Sequence, residues 1–156
     1  MSRGKIKLFW LTKFSKARKV ESMKITCKSR YALRTLLDIA ISGADKPRTI
    51  AEIASSQAIS EKFISRIVVP LRRAGLLESE RGARGGLRLA RSPGDITLLD
   101  ISEALDGPTS ILKCLAEPKI CRRHARCPAR TVWDDINTTL KNALASVTLS
   151  SVMSRQ

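Results

Sequence analysis

Thr49-Ile-Ala-Glu-Ile-Ala-Ser-Ser-Gln-Ala-Ile-Ser60-Glu-Lys-Phe-Ile-Ser-Arg-Ile-Val-Val-Pro70-Leu-Arg-Arg-Ala-Gly75 decides the fold. Thr49 and Glu52 are spaced as a capping box, which satisfies free amides at the start of a helix. Ile50, Ile53 and Ala54 then face inward, and Ser56-Gln57-Ala58-Ile59 turns the chain. A second helix starts at Ser60. It puts Ile64, Ile67, Leu71 and Ala74 on one face and Lys62, Ser65, Arg66 and Arg73 on another. Gly75 suits the left-handed residue that follows a helix end. Two helices joined by a four-residue turn, the second with polar and basic residues outward, form a helix-turn-helix pattern, whose second helix lies in the DNA major groove. Pro70 predicts a kink or an early end, because proline removes one helical hydrogen bond.

Upstream, a helix is expected from near Ser29, a good N-cap, to Gly43, with Leu33, Leu36, Leu37, Ala40 and Ile41 as its apolar face. Asp45-Lys46-Pro47 reads as a turn. Lys24, Lys28, Arg30 and Arg34 gather positive charge at the start of this helix. Downstream, Leu76–Glu80 and Leu87–Ala90 flank the tip Arg81-Gly-Ala-Arg-Gly-Gly86 and read as a hairpin. The glycines permit close approach to a backbone, and the arginines suit phosphates or a narrow minor groove. Helix-turn-helix followed by such a hairpin is a winged helix. The expected fold is therefore mainly α with a small β-hairpin. After the linker Ser92–Asp95, Thr97 and Asp100 cap a further helix with the stripe Leu98, Ile101, Ala104 and Leu105, stopped by Asp106-Gly107-Pro108.

Next comes Cys114-Leu-Ala-Glu-Pro-Lys-Ile-Cys121-Arg-Arg-His124-Ala-Arg-Cys127, which holds three of the four cysteines and the only histidine. Such density suggests a metal or redox site more than a disulfide framework. Lys113, Lys119, Arg122, Arg123, Arg126 and Arg130 surround the thiols and would stabilise a bound anion. Four readings stay open, in this order: an iron–sulfur cluster, a structural zinc on Cys114, Cys121, His124 and Cys127, a thiol–disulfide switch, and an empty loop. Beyond Cys127-Pro128 a long helix runs to about Ser146, with Val132, Ile136, Leu140, Ala143 and Val147 in register and Trp133 beside them. A matching helix from a second copy is the simplest way to bury that stripe, with packing on its own domain as the alternative. Thr148 to Gln156 is expected to add one short turn.

Composition narrows the partners. The net charge is +15. Residues 1–22 hold seven basic residues against one acidic residue, so the remainder is basic as well. That balance favours a polyanion. Aromatic residues are 4% of the chain, which leaves core packing to aliphatic side chains. No apolar run approaches the ~20 residues that span a bilayer. Leu8-Phe9-Trp10-Leu11 is too short for a signal-peptide core, and residues 1–22 are expected to be a disordered basic leader. One histidine, no P-loop and a glycine-rich tip set in a hairpin argue against an enzyme. The organisation expected is a leader at 1–22, a winged helix at 23–96, a helix and cysteine loop at 97–130, and a dimerisation helix and tail at 131–156.

Met23-Lys-Ile-Thr-Cys-Lys-Ser-Arg-Tyr-Ala-Leu-Arg34 resembles the opening of the Rrf-type winged-helix regulators, the IscR-like and NsrR-like transcription factors. Ile50-Ala-Glu-Ile-Ala54, Arg81–Gly86 with Leu89-Ala90, the helix from Ile96 to Gly107, the three-cysteine loop and Trp133 are similar too. The match covers about Met23 to Met153; its motifs are moderately specific singly and strong in their order. The resemblance implies a homodimeric bacterial regulator, cytoplasmic and nucleoid-associated, that binds a palindromic operator in double-stranded DNA, with no membrane role. It implies an iron–sulfur cluster on Cys114, Cys121 and Cys127, 2Fe-2S ahead of 4Fe-4S, with zinc as the alternative. The signal would be iron or cluster status, or redox or nitric oxide stress, acting on a repressor. Thr26, Lys28, Arg30, Ser60, Lys62, Phe63, Ser65 and Arg66 fall at DNA-contacting positions, as do Arg81, Gly82 and Arg84 in the wing.

The sequence also departs from the family pattern. Ser65-Arg66 stands where relatives have a Glu-Gln pair, so base preference differs; Arg66 suits the two acceptors of guanine. The first cysteine gap is one residue longer than in the best-known member. Arg130 replaces that member's histidine, and Arg30 replaces an acidic residue that elsewhere comes from the partner chain. The fourth ligand is therefore open: His124 first, then Cys27 of the partner subunit, then a small molecule or hydroxide. A winged helix that binds protein rather than DNA is the remaining alternative, and it predicts no steep salt dependence with duplex DNA.

Overall fold

The computed structural model describes residues 26–43, 46–82 and 85–155. The expected leader at 1–22, Lys24, Asp45 and the wing residue Arg84 lie outside the described residues. The first helix, α1, spans Cys27–Ile41. Its N-cap is Thr26, whose side chain accepts from the Lys28 amide, not the expected Ser29. Ser29 is instead a buried residue of the first turn, its hydroxyl drawn to Asp106. The inner face of α1 runs through Ala32, Thr35, Leu36 and Ile39, with Leu33, Leu37 and Ala40 packed at its edge. Ile41, expected on that face, is 56% exposed, because two residues beyond Ile39 lies roughly half a turn around the helix.

The capping box at Thr49 and Glu52 opens α2 (Ile50–Gln57), and Ile53 and Ala54 are buried as the sequence predicts. The turn rests on Ala58, a left-handed residue at φ 53° and ψ 47°. Ser60 caps α3 (Glu61–Arg73), whose buried face is Ile64, Ile67, Val68 and Leu71. Helix α3 does not end at Pro70. Leu71 stays anchored in the core, and the Ala74 amide bonds to the Pro70 carbonyl at 3.0 Å, which carries the ladder past the missing donor. Ala74 itself is exposed as the C-cap residue. Gly75 adopts φ +66°, the left-handed stop expected of it.

Strands β1 (Leu77–Glu80) and β2 (Gly86–Leu89) pair antiparallel, with Leu77 opposite Leu89 and Glu80 opposite Gly86. An isolated bridge from Arg48 joins them. Arg48 and Leu87 exchange both backbone hydrogen bonds, at 2.9 and 2.7 Å. Gly86 is required by that approach, since a Cβ there would lie 2.8 Å from the Arg48 carbonyl. The wing is thereby attached to the segment that leads into α2.

The second half folds back onto this unit. Helix α4 (Leu98–Asp106) has the expected Thr97–Asp100 capping box and ends at Gly107, φ +84°. A short helix α5 (Lys113–Ala116) opens the cysteine segment, and two single 3-10 turns follow at Pro118–Ile120 and His124–Arg126. Helix α6 (Pro128–Ser146) buries Asn137 and Leu144 against its own chain. Its outer half leaves Val132, Trp133 and Ile136 exposed at 58%, 44% and 47%. The tail forms α7 (Leu149–Met153) under a capping box at Thr148, more than the short turn expected. The Leu149 amide bonds to the Ile96 carbonyl at 2.9 Å, and the Leu98 amide bonds to the Val147 carbonyl at 2.8 Å. Leu149 is 1% exposed and belongs to the same core as α1, α3 and the wing. Among the described residues, no helix is long and apolar enough to cross a membrane.

Candidate nucleic-acid interface and cysteine loop

Burial of Ile64, Ile67, Val68 and Leu71 leaves the opposite face of α3 in solvent. Lys62, Ser65 and Arg66 are exposed there. The Ser65 hydroxyl donates to the Glu61 carbonyl at 2.8 Å, so it stays close to the helix surface. Ser60 is spent as a cap, accepting from the Phe63 amide at 3.3 Å. Phe63 is half-buried and meets Tyr31 of α1 edge-on, with ring centroids 5.3 Å apart. Its role in this structure is packing.

Helix α1 contributes to the same region. The guanidinium groups of Arg30 and Arg34 lie 5.0 and 5.5 Å from the Tyr31 ring centre. Arg34 also donates through Nε to Gln57 Oε1 at 3.1 Å and through Nη2 to the Gln57 carbonyl. The aromatic pair and the arginines thus join the first turns of α1 to the turn that sets α3. Tyr31 and Gln57 are positioning residues that no motif announces; the spacing of Arg30 and Arg34 about Tyr31 is the one local signal of them in the sequence. Lys28 is exposed, and Thr26 is spent as the α1 cap. In the wing, Arg81 is exposed and Gly82 has φ +120°, open to a glycine alone.

All four cysteines are free thiols. Cys114, Cys121 and Cys127 are half-buried on successive short turns, and His124 is half-buried between the last two, its amide on the Cys121 carbonyl at 3.1 Å. Cys27 is the first residue of α1, and it is exposed. Among the described residues, no three His, Cys, Asp or Glu side chains converge on one point. The donor chemistry nonetheless suits a thiolate-bound anion: unpaired sulfurs stand in a basic loop. The Arg130 amide bonds to the Cys127 carbonyl at 3.1 Å, and the buried Nε of Arg130 has no hydrogen-bond partner among the described residues. A group held there requires the turns to close around it. The chain on the helix side of the loop is already fastened. The Thr109 amide donates to Glu103 Oε1 at 3.0 Å, and the Ile111 amide donates to Asn137 Oδ1 at 3.0 Å.

A basic helix-turn-helix followed by a two-stranded wing defines a DNA-binding regulator of the winged-helix class. More narrowly, the family model for Rrf2, described as an iron-dependent transcriptional regulator, matches residues 25–155, and the chain belongs to that family. It is 38% identical over 131 residues to the Rrf2 protein of Nitratidesulfovibrio vulgaris, covering 84% of this chain and 87% of that one. It is 34% identical to the transcriptional regulator IscR of Photobacterium profundum, covering 84% and 76% of the two chains. Among solved structures it resembles CymR, the global cysteine regulator of B. subtilis, with TM-score 0.71, 35% identity and coverage of 86% and 98%. It also resembles the IscR of T. potens, with TM-score 0.65, 28% identity and coverage of 85% and 88%. The chain is a transcriptional regulator and not an enzyme.

Proposed function

We propose that the chain is a homodimeric repressor of the bacterial cytoplasm that reads a palindromic operator, with affinity set by an iron–sulfur cluster on its cysteine loop. The observation that carries this reading is three free, half-buried thiols in a basic loop fixed between α4 and α6. Cys114, Cys121 and Cys127 would hold the cluster, 2Fe-2S ahead of 4Fe-4S. His124, or Cys27 of the partner subunit, is the fourth ligand. The cluster supplies one-electron redox chemistry and sensitivity to iron supply or nitric oxide. The chain's own residues supply the anchor, the positive surroundings and the link to the reader. The exposed stripe Val132, Trp133 and Ile136 is the surface that a second copy covers. On DNA, Lys62, Ser65 and Arg66 face the major groove, Arg81, Gly82 and Arg84 follow the backbone at the wing, and Thr26, Lys28 and Arg30 meet flanking phosphates.

The place of His124 between Cys121 and Cys127 favours a second reading, a structural zinc held by three cysteines and one histidine. Anaerobic purification followed by the visible spectrum and by iron, sulfide and zinc analysis separates the two. Charge-transfer absorbance with matched iron and sulfide supports the sensor. A colourless protein with one zinc per chain replaces it by the structural site. Cys121→Ala should abolish the absorbance and change operator affinity. Unchanged affinity with and without the cluster would overturn the sensing role.

A further inference from the structure

The cysteine segment has two faces. Its backbone turns by threes: the His124 amide bonds to the Cys121 carbonyl at 3.1 Å, the Arg126 amide to the Arg123 carbonyl at 2.9 Å, and the Arg130 amide to the Cys127 carbonyl at 3.1 Å. At about three residues per turn, every third side chain shares a face. Cys121, His124 and Cys127 recur at that interval and are half-buried. Arg122, Arg123 and Arg126 fall between them and are exposed. With Ala125 they line one open hollow of about 370 Å³.

This outer face has no counter-charge. No acidic residue stands between Glu117 and Asp134, a stretch that holds Lys119, Arg122, Arg123, Arg126 and Arg130. None of the arginines at the hollow makes an ion pair among the described residues, whereas Arg48 is answered by Asp38 and Arg88 by Glu78 and Glu80. Like charges crowded around one hollow repel, and an anion seated among them relieves the repulsion. The guanidinium fork matches the oxygens of a phosphate.

The place of the segment favours a nucleic-acid backbone over an acidic protein. The segment leaves the body after Asp106, the last residue of α4, whose carboxylate accepts from Thr26 and Ser29 at the start of α1. Lys28 and Arg30 are exposed on that turn. The same end of α1 meets the start of α3 through Tyr31 and Phe63, and the turn before α3 through Arg34 and Gln57. The first residues of a reading helix are those that meet base edges. The segment is therefore rooted at the end of the reader that presents α3 to a duplex, and the Thr109 and Ile111 amides fasten it there.

We propose that Arg122, Arg123 and Arg126 form a further DNA-backbone site, which grips phosphates flanking the bases read by α3. The proposal rests on the DNA-reading function above and holds whichever group the thiols carry. Phosphate contacts carry no sequence information, so the site adds affinity and leaves base preference to α3.

The test uses the full-length chain, the triple variant Arg122→Ala/Arg123→Ala/Arg126→Ala and its Arg→Lys counterpart. A duplex selected from random sequence by the wild type, with long flanks, serves as the DNA. Affinity is measured across a salt series, and backbone contacts are mapped by hydroxyl-radical footprinting. The alanine variant should lose about two to three from the salt slope per chain and bind roughly tenfold or more weakly at low salt. Protection of flanking backbone positions should vanish, while the ranking of single-base operator variants stays that of the wild type. The lysine variant, which keeps the charges, should bind within about threefold of the wild type. A wild-type slope and footprint in the alanine variant overturn the site and leave the face to an acidic protein partner. A reduced slope with an unchanged footprint reports only lost net charge and overturns it too, as does an altered base ranking. A wild type with no salt dependence would sink the DNA reading itself, before any variant is made. If the triple variant fails to fold, Arg122→Glu alone takes its place; it should lower the slope and thin the flanking protection, and no change in either overturns the proposal.

Discussion

Asp38 of α1 and Arg48, the residue that bridges to Leu87 of the wing, meet at 3.0 Å, with Arg48 Nη2 and Nε both donating to Asp38 Oδ2. The other oxygen, Oδ1, accepts from Ser56 Oγ at 2.8 Å and Gln57 Nε2 at 3.1 Å. A single carboxylate thus joins α1, the end of α2 and the wing. The side chains of Asp38 and Arg48 are 11% and 18% exposed, so solvent screens them little. Asp38→Ala should destabilise the chain by about 2–4 kcal/mol, because it leaves a guanidinium half-buried and unanswered. Chemical denaturation of Asp38→Ala, Arg48→Ala and the double variant checks this. The double variant should lose less than the sum of the single losses.

Ala58 occupies a left-handed conformation that costs a residue with a Cβ roughly 1–2 kcal/mol. Glycine removes that cost and adds freedom to the unfolded chain. Ala58→Gly should therefore stabilise the protein by about 0.5–1 kcal/mol net. A raised melting temperature with unchanged DNA affinity is the expected outcome, since Ala58 is exposed on the turn and the axis of α3 is set by its buried face.

The Glu52 carboxyl is held below the ordinary carboxylate range, first by the Thr49 backbone amide and then by the Thr49 hydroxyl. Its lowered value in the folded chain fixes the sign. The stability it contributes is complete above the unfolded carboxyl pKa of about 4.3 and is lost as pH falls through the lower folded value. Glu52→Gln should accordingly be less stable than the parent at neutral pH, and the gap should narrow in acid. Paired melts from neutral to acid pH read this directly. Thr49→Ala removes the cap as well and should cost about 1 kcal/mol.

Arg66 and Lys62 share the solvent face of α3 but should behave differently. Arg66→Ala should cost about 1–3 kcal/mol on the selected operator and relax the preference at one base pair. Lys62→Ala should weaken all duplexes alike and reduce the salt slope by about one. Affinities on a set of single-base operator variants at several salt concentrations separate these outcomes. Equal relaxation of sequence preference by both substitutions would contradict the division of roles.

Local signals read well in this chain. Thr49 with Glu52, Thr97 with Asp100, and Gly75 each act within one turn, and each stands where the sequence puts it. Residues whose partners lie far along the chain read poorly. Ser29 reads as a cap because its acceptor, Asp106, is remote in sequence. Pro70 looked like a stop because the anchoring of Val68 and Leu71 in the core is a tertiary fact. The cysteine loop gave its donor types at once, while its turns leave those donors apart. The return of Leu149 to the core had no signal at all, since five short residues carry too little periodicity to announce a buried contact.

That return bears on how this protein can be dissected or rebuilt. Leu149 and Ile96 share one core and a backbone hydrogen bond, so the last helix is a wall of the DNA-reading unit. Cutting the gene after Ile96 to obtain a bare reader would remove that wall and expose the core behind it, and clipping the final eight residues would act as a core deletion. Grafting the cysteine loop onto another winged helix therefore requires α7 and Leu149 to travel with it, or an equivalent plug to be designed in their place.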